Sequence, residues 1–472
     1  MRRPLGVGRW GRTPAILAGA LGVCAAGVLL AAACVPRARN AQRSGARVMG
    51  PLPGPPVAPE AAPRVVPERA ATASRERMVR VALATALSVA PLSATAGWEL
   101  AEQGGARVLV RGMGGERWRV EQQGGLLRVV GEGGDRTPWR PGPLVARPTA
   151  AGALVQYAGR RYRGELWILP LTSGLTVVNR LPMEGYLRGV VPLELGTRTA
   201  TDRAALEAQA IAARSFATVR VPRDEGRLPA RGWHLRAGVA DQGYGGVEVE
   251  YPLADAAVAA TAGLVLRYNG RVVTAPYSAA CGGRTAAPGE AWDDDAPEAP
   301  FLRPVDDHDP ATGRAWCDIA PESHWTQELD AAVLSEAVRR VLARRAPEGG
   351  AEEPSAVAWV PVRAVRVASR GRSGRIGTLV LSTDGGEVPV RAAALRGWLR
   401  GRRGASLAST YFAVEHATHD GGQVASLRLR GVGHGHGVGM CQWGAIGRAR
   451  AGQDARTILQ HYYPGTVVGA AD

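Results

Sequence analysis

The chain has 472 residues, of which 46% are hydrophobic, enough for two or three domains, and this excludes a wholly disordered protein. Its formal net charge is +16, and because the sequence contains no lysine, all 58 basic residues are arginine. So basic a chain favours a polyanionic partner, which could be nucleic acid, anionic lipid or the acidic polymers of a bacterial envelope.

The N-terminal segment predicts export. Four arginines precede an uncharged apolar run over residues 14–33 that ends in small residues, the layout of a secretory signal. We therefore assign 1–34 to a signal peptide or membrane anchor. Cys34 resembles a lipoprotein processing site; cleavage near Ala33 and an uncleaved anchor are the alternatives, since about 20 apolar residues can span a bilayer. Each alternative places the protein outside the cytoplasm, secreted or membrane-anchored, with the membrane contacted only through this segment. Export also argues against nucleic acid as a partner, so we expect none.

Beyond the N-terminal segment, the composition changes twice. Residues 35–76 are rich in Pro and Ala and predict a flexible linker. Residues 77–472 are then the folded part. Within it, apolar runs such as 106–110 and 126–130 are separated by Gly-Gly pairs and indicate antiparallel strands, with a candidate β-rich subdomain at 77–165.

Two helices interrupt the strands. The first covers 203–219, which is rich in alanine and lacks Gly and Pro, with Thr201 or Asp202 as its N-cap. The second is amphipathic and covers 330–345; its inward residues are Leu334, Val338, Val341 and Leu342.

Strands return after the second helix. They are expected at 362–367 and 377–382, and the turn at 384–386 leads onward. Because there is no regular βαβ alternation, the predicted fold class is α+β, mostly antiparallel β with a few helices.

Three motifs occur in a fixed order along the chain. They are residues 179–194 continued by 206–214, residues 276–285, and residues 433–445 (GHGHGVGMCQWGA) followed by 461–466. Together they resemble the family of stage II sporulation protein D and the LytB amidase enhancer, over about residues 79–468.

The resemblance implies a function on peptidoglycan. Members of the family bind peptidoglycan, and the sporulation members are lytic transglycosylases that cleave glycan strands lacking stem peptides. It places the family's catalytic glutamate at Glu194. The alternative is a non-catalytic, glycan-binding enhancer of an N-acetylmuramoyl-L-alanine amidase, which would make a cell-wall amidase a second partner. Two departures bear on catalysis: residues 195–199 replace a Met-Pro and a nearby Trp, and Glu207 stands where Lys is common.

Glu194 also suits the chemistry. Most glycosidases use two carboxylates. A transglycosylase can use one, because the 6-hydroxyl of the sugar attacks and the glutamate that gave a proton takes one back. The apolar neighbours of Glu194 predict a raised pKa. The alternatives are that Glu194 caps the next helix or pairs with an arginine, and Glu184 is a second candidate acid, with an ion-pair role as its alternative.

The motifs also supply candidate substrate-binding residues, which are Arg214, Gln209, His436, Gln442, Trp443 and Tyr277. Arg214 would hold an acidic group or orient Glu194, and the alternative is a helical ion-pair stripe with Arg203 and Glu207. Trp443 is either a core residue or a platform for a sugar ring, and His436 is expected to form a hydrogen bond in the cleft.

Three cysteines, Cys281, Cys317 and Cys441, lie in the folded part. In an oxidising envelope two of the three could form a disulfide, and counting does not decide which two. Cys281 and Cys317 are the candidate pair, and a bond between them would stabilise the fold by roughly 3–4 kcal/mol. A nucleophilic role for Cys441 is a competing idea. We expect no cofactor; zinc is the alternative, with Cys281, His434 and His436 as weak candidate ligands.

Overall fold

The structure is a computed structural model that describes residues 76–105, 107–223, 229–292, 299–345, 359–400 and 404–471. The predicted signal or anchor, and nearly all of the predicted linker, lie outside the described residues. None of the helices in the described ranges is long and apolar enough to cross a membrane.

The first part of the described chain consists of strands, as the apolar runs between glycine pairs predict. The strands are β1 (Met78–Leu87), β2 (Val89–Ala94), β3 (Trp98–Glu102), β4 (Val108–Gly112), β5 (Trp118–Gln123), β6 (Leu126–Gly131), β7 (Arg140–Pro141), β8 (Leu144–Pro148), β9 (Val155–Tyr157), β10 (Arg160–Tyr162), β11 (Glu165–Leu171) and β12 (Gly174–Pro182). One sheet has the order β10-β9-β2-β5-β6-β7. The other has the order β1-β12-β11-β8-β3-β4 and is extended by β13 (Leu235–Arg236), which pairs parallel with β1.

Three helices follow or interrupt this sheet region: α1 (Met183–Leu195), α2 (Arg203–Arg220) and α3 (Pro252–Ala260). The helix predicted over 203–219 is therefore confirmed as α2, with Asp202 at its N-cap position. The carboxylate of Asp202 does not cap the helix; it accepts hydrogen bonds from Arg450 at 2.7 and 3.2 Å. One hydrophobic core joins both sheets to α1 and α2. Residues 77–165 thus share their core with the helices.

The remaining chain alternates short strands and helices. The strands are β14 (Leu264–Tyr268), β15 (Arg271–Val272), β16 (Tyr277–Ser278), β17 (His324–Asp330), β18 (Val362–Arg370), β19 (Ile376–Thr383), β20 (Gly386–Arg391), β21 (Phe412–Asp420), β22 (Gln423–Val432), β23 (Met440–Cys441) and β24 (Val467–Ala470). The helices are α4 (Ala331–Arg345), α5 (Ala392–Trp398), α6 (Gln442–Arg450) and α7 (Ala455–Tyr462).

A second hydrophobic core lies between motifs two and three. It is formed by α4, α5 and the sheets β17-β22-β21 and β18-β19-β20. The predicted helix over 330–345 is confirmed as α4, and three of its four predicted inward residues are buried. Leu342 is 41% exposed, so its predicted orientation is wrong. It follows the buried Val341 by one residue, a rotation of about 100° that turns it away from the core.

The structure confirms the α+β fold class, because almost all the strand pairs of the described residues are antiparallel and the helices are not regularly spaced between parallel strands. One parallel pair matters for function. Strand β16 pairs with β23, with Tyr277 opposite Met440 and Ser278 opposite Cys441. This pairing joins the second motif to the third.

Candidate functional site

Glu194 lies in the last turn of α1, where the first motif ends. Helix α1 continues directly from β12 and packs closely at Gly189, where a Cβ would overlap the ring of Tyr244. The helix ends at Gly196, whose φ of 73° lies in the left-handed region that glycine favours. The side chain of Glu194 is consequently held at a fixed end of a packed helix, and it is half-buried.

Two neutral groups hold the Glu194 carboxylate. The backbone N–H of Gly243 donates to Oε1 at 2.5 Å, and Nε2 of Gln442 donates to Oε2 at 3.4 Å. A Cβ at position 243 would lie only 3.1 Å from Oε1, so glycine permits this close approach. Burial raises the pKa of Glu194, and the two donors oppose the rise without cancelling it. A carboxyl group with a raised pKa retains its proton to higher pH, as a general acid must.

A chain of amide and phenol groups adjoins Glu194. Gln442 Nε2 also lies 3.4 Å from Oε1 of Gln209 on α2, and Gln209 is fully buried. The Nε2 of Gln209 has no partner within the described part of the chain. Gln242 donates to the Tyr277 hydroxyl at 2.8 Å and accepts from the Tyr186 hydroxyl at 2.9 Å. Because the Tyr277 oxygen accepts this bond, its own proton is free to be donated to a ligand.

Arg214 is directed at Glu184 and not at Glu194. Its guanidinium, 1% exposed, donates twice to the Glu184 carboxylate, at 2.9 and 2.7 Å. It also donates to the backbone carbonyls of Val258 and Leu264. Arg214 thereby links α1 and α2 to the segment from α3 to β14, and Glu184 is in the ion-pair arrangement given above as the alternative to an acid.

Glu207, which stands where the family commonly has Lys, forms an ion pair with a neighbouring arginine. Arg203 Nε donates to Glu207 at 2.8 Å, one helical turn away on α2. Arg214 is not part of this pair, so the three residues do not form a continuous stripe.

Trp443 lies beside an arginine from the stretch that departs from the family. The guanidinium of Arg198 is 4.6 Å from the centre of the Trp443 ring, and its Nε donates to the Leu195 carbonyl at 2.6 Å. Trp443 is half-buried and packs on one side against the main core. It therefore has both a core contact and an exposed part.

The two histidines of the third motif have different surroundings. His436 lies 5.3 Å from the Trp292 ring, and its Nδ1 accepts from the Val438 N–H at 3.0 Å. Burial, followed by the positive charges of two arginines, lowers the pKa of His436 to about 4, so the ring is neutral at pH 7. His434 is half-exposed, with Nδ1 3.9 Å from the Glu322 carboxylate. The contacts of both histidines are with groups other than Glu194.

Four buried residues gather around Cys441 of the third motif. They are Cys281, Cys317, Cys441 and Asp307, which we call the thiol cluster, and one ligand atom of each lies within 4.8 Å of the others. All three cysteines are free thiols. The sulfurs of Cys281 and Cys317 are 3.8 Å apart, so the structure brings the predicted disulfide partners together without a bond between them. His434 and His436 are not members of the cluster.

Several of these residues escaped sequence analysis. Gly243, which contacts Glu194, is 49 residues from it, and Gln242 and Arg198 lie outside the three motifs. Asp307 likewise carried no signal of its own. The available signal was that Cys281 and Cys441 each lie inside a motif.

Two family models match parts of this architecture. Residues 172–268 match the family described as stage II sporulation protein, and residues 320–439 match a domain of unknown function, DUF8618. The first match contains Glu194, Gln209 and Arg214. The four residues of the thiol cluster lie outside both matches.

Two relatives are similar over a longer range. An uncharacterized protein of Brachyspira hyodysenteriae is 29% identical over 307 residues, 65% of this chain and 72% of the relative. An amidase enhancer of Bacillus subtilis is 28% identical over 304 residues, 60% of this chain but only 40% of the relative. The family match and the Bacillus relative confirm the resemblance that the three motifs indicated.

Proposed function

Because the chain carries a domain of the stage II sporulation protein family, with similarity to an amidase enhancer, we propose that it remodels the bacterial cell wall outside the cytoplasm. Its proposed activity is lytic transglycosylase cleavage of peptidoglycan glycan strands that lack stem peptides. Glu194 serves as the general acid and then as the general base.

One observation carries this proposal: a half-buried carboxyl group with a raised pKa, held by the neutral donors Gly243 and Gln442. The protonated Glu194 gives its proton to the glycosidic oxygen as the bond to the anomeric carbon breaks. The 6-hydroxyl of the same sugar then attacks that carbon and forms a 1,6-anhydro ring. The Glu194 carboxylate takes the hydroxyl proton, which restores the starting state.

Nearby side chains would bind the sugar. The hydroxyl proton of Tyr277 suits sugar hydroxyl and carbonyl oxygens. Gln209 is fully buried, so it would act by positioning Gln442 and would not touch the sugar. Trp443 would support a sugar ring. Glycan without stem peptides exposes the lactyl carboxylates of muramic acid, and Arg198 beside Trp443, together with the net charge of +16, complements them.

The alternative function is that of a glycan-binding enhancer, which the printed name of the Bacillus relative favours. It would use the same surface to bind glycan and would stimulate a separate cell-wall amidase. The N-terminal segment would tether either form of the protein to the membrane or be removed on secretion.

Product analysis on peptide-free glycan separates the two functions. The full chain, incubated with this glycan alone, should release chains that end in anhydromuramic acid. Glu194→Gln should release about 10²–10⁴-fold less while still binding glycan. Glu207→Gln is the matched control, since it makes the same change at a half-buried glutamate of α2 that is paired with the exposed Arg203. If the wild type makes no new ends but accelerates an added amidase, the enhancer function replaces the enzymatic one. Unchanged release by Glu194→Gln refutes the role of Glu194.

A further inference from the structure

We propose that the thiol cluster is a structural zinc site, in which Cys281, Cys317 and Cys441 provide three thiolates and Asp307 provides one carboxylate oxygen. This inference is independent of whether Glu194 is catalytic. It also differs from the weak sequence candidates, because it includes Asp307 and Cys317 and leaves out both histidines.

The geometry fits tetrahedral zinc. At a Zn–S bond of about 2.3 Å, two sulfurs of a tetrahedron lie about 3.8 Å apart. The sulfurs of Cys281 and Cys317 are separated by this distance, 3.8 Å. Cys281 Sγ lies 3.2 Å from Oδ2 of Asp307, and all four ligand atoms fit within 4.8 Å of one another. Four converging N, O or S ligands without an open position are typical of structural rather than catalytic zinc.

One of these sulfurs, that of Cys441, has backbone donors that would stabilise its thiolate. Backbone N–H groups donate to Cys441 Sγ from Cys281 at 3.1 Å and from Gly444 at 3.3 Å. Such bonds are the outer-shell contacts that orient ligands in metal sites.

Asp307 is held in the orientation that a ligand needs. Its Oδ1 accepts from Arg448 at 3.1 and 3.0 Å, and both of its oxygens accept from the Tyr462 hydroxyl at 2.9 Å. Its Oδ2 faces Cys281. Asp307 and Arg448 are both buried, so the arginine offsets part of the negative charge of the ligand set.

The cluster is also tightly enclosed. A Cβ at Gly444 would overlap the Tyr462 hydroxyl and the Asp307 carboxylate, so the first turn of α6 packs directly on it. All three cysteines and Asp307 are inaccessible to solvent. A site this closed favours a structural ion over a reactive thiol, which would need access and a base.

The site has a consequence for the neighbouring carboxylate. Cys441 is the N-cap of α6, and the next residue, Gln442, donates to Glu194. A zinc ion on Cys441 would therefore fix the start of α6 and hold Gln442 in place.

Zinc binding displaces the three thiol protons, so the affinity for zinc is expected to fall as the pH is lowered.

Metal analysis of the full chain, purified with a reductant and without a chelator, tests the proposal. We expect one zinc per chain, its loss in Cys317→Ser, and its retention in His434→Ala, the control for a histidine site. Zinc retained by Cys317→Ser would overturn the assignment. So would metal-free wild type in which peptide mapping finds a disulfide between Cys281 and Cys317.

A second measurement covers the case in which Cys317→Ser does not fold. Wild type loaded with Co²⁺ should show thiolate charge-transfer bands and the intense visible bands of tetrahedral cobalt, and these should disappear as a thiol reagent modifies the three cysteines. A pale octahedral spectrum without thiolate bands would refute the site on wild type alone.

Discussion

Gln442 contacts Glu194, and the preceding residue, Cys441, belongs to the thiol cluster. The environments of Glu194 and of the cluster nevertheless differ. Cys441 points into a cluster of four inaccessible groups, whereas Gln442 reaches a half-buried carboxylate with two neutral donors. The thiol cluster is fully enclosed. In the second environment the pKa of Glu194 is raised, and the Nε2 of the nearby Gln209 has no partner within the described part of the chain. The difference teaches that the third motif joins a fully enclosed cluster to a carboxylate that stays half-buried and has a raised pKa.

The largest expected effect comes from the carboxylate. Glu194→Gln should lower glycan cleavage by about 10²–10⁴-fold, the usual contribution of general acid–base catalysis. Its zinc content should not change.

The same substitution tests the direction of the pKa shift. Because the folded pKa of Glu194 is raised, the wild type loses stability as pH rises through that pKa, and the glutamine variant does not. Thermal melts at pH 4.5 and 8 should show the variant gaining relative to the wild type at pH 8; a relative loss there would contradict the assigned pKa direction.

The ion pair beside the site should affect stability and not chemistry. Glu184→Gln leaves the buried Arg214 without its carboxylate and should cost about 3 kcal/mol, toward the low end for a broken buried pair because Glu184 is 33% exposed. Urea unfolding measures the loss. Glu207→Gln should change stability by less than about 1 kcal/mol, because its partner Arg203 is 58% exposed and remains solvated. Folded Glu184→Gln should still cleave glycan. If it folds normally and has lost activity, Glu184 and not Glu194 is the acid.

A smaller effect should appear on lowering the pH. The folded pKa of His436 is about 4, below its ordinary value of 6.5, so the unfolded chain binds more protons between these values. The contribution of neutral His436 is present above pH 6.5 and is lost as pH falls through 4, amounting to about 1–2 kcal/mol at pH 5. Comparison of the wild type with His436→Gln at pH 7.5 and 5 tests this. Equal losses in both proteins would show that other groups cause the acid sensitivity.

The smallest effect links the two environments. Gln442→Ala removes a donor that lowers the pKa of Glu194, so the basic limb of the pH–rate profile should move to higher pH. The rate at the optimum should fall about tenfold, the value of roughly one hydrogen bond. Zinc content should be unaffected, since the side chain of Gln442 does not belong to the thiol cluster. A limb that moves to lower pH would mean that Gln442 does not donate to the ionised carboxylate.

Sequence patterns were sufficient for the regular elements. The alanine-rich run gave α2, the apolar periodicity gave α4, and the runs between glycine turns gave the antiparallel strands, because each depends on the preferences of neighbouring residues. The motifs also indicated the family resemblance and the candidate acid. The periodicity failed at Leu342, because the width of the buried stripe depends on what packs against the helix.

Only the tertiary structure decided how these elements combine into sites. Arg214 faces Glu184 across 30 residues, Gln442 reaches Glu194 across 248, and Cys441 meets Cys281 across 160. Hydrogen bonds and ligand contacts act over about 3 Å in space, whatever the separation along the chain. Local sequence could therefore specify which groups are present, whereas the pairing of β16 with β23 and the shared core set their distances.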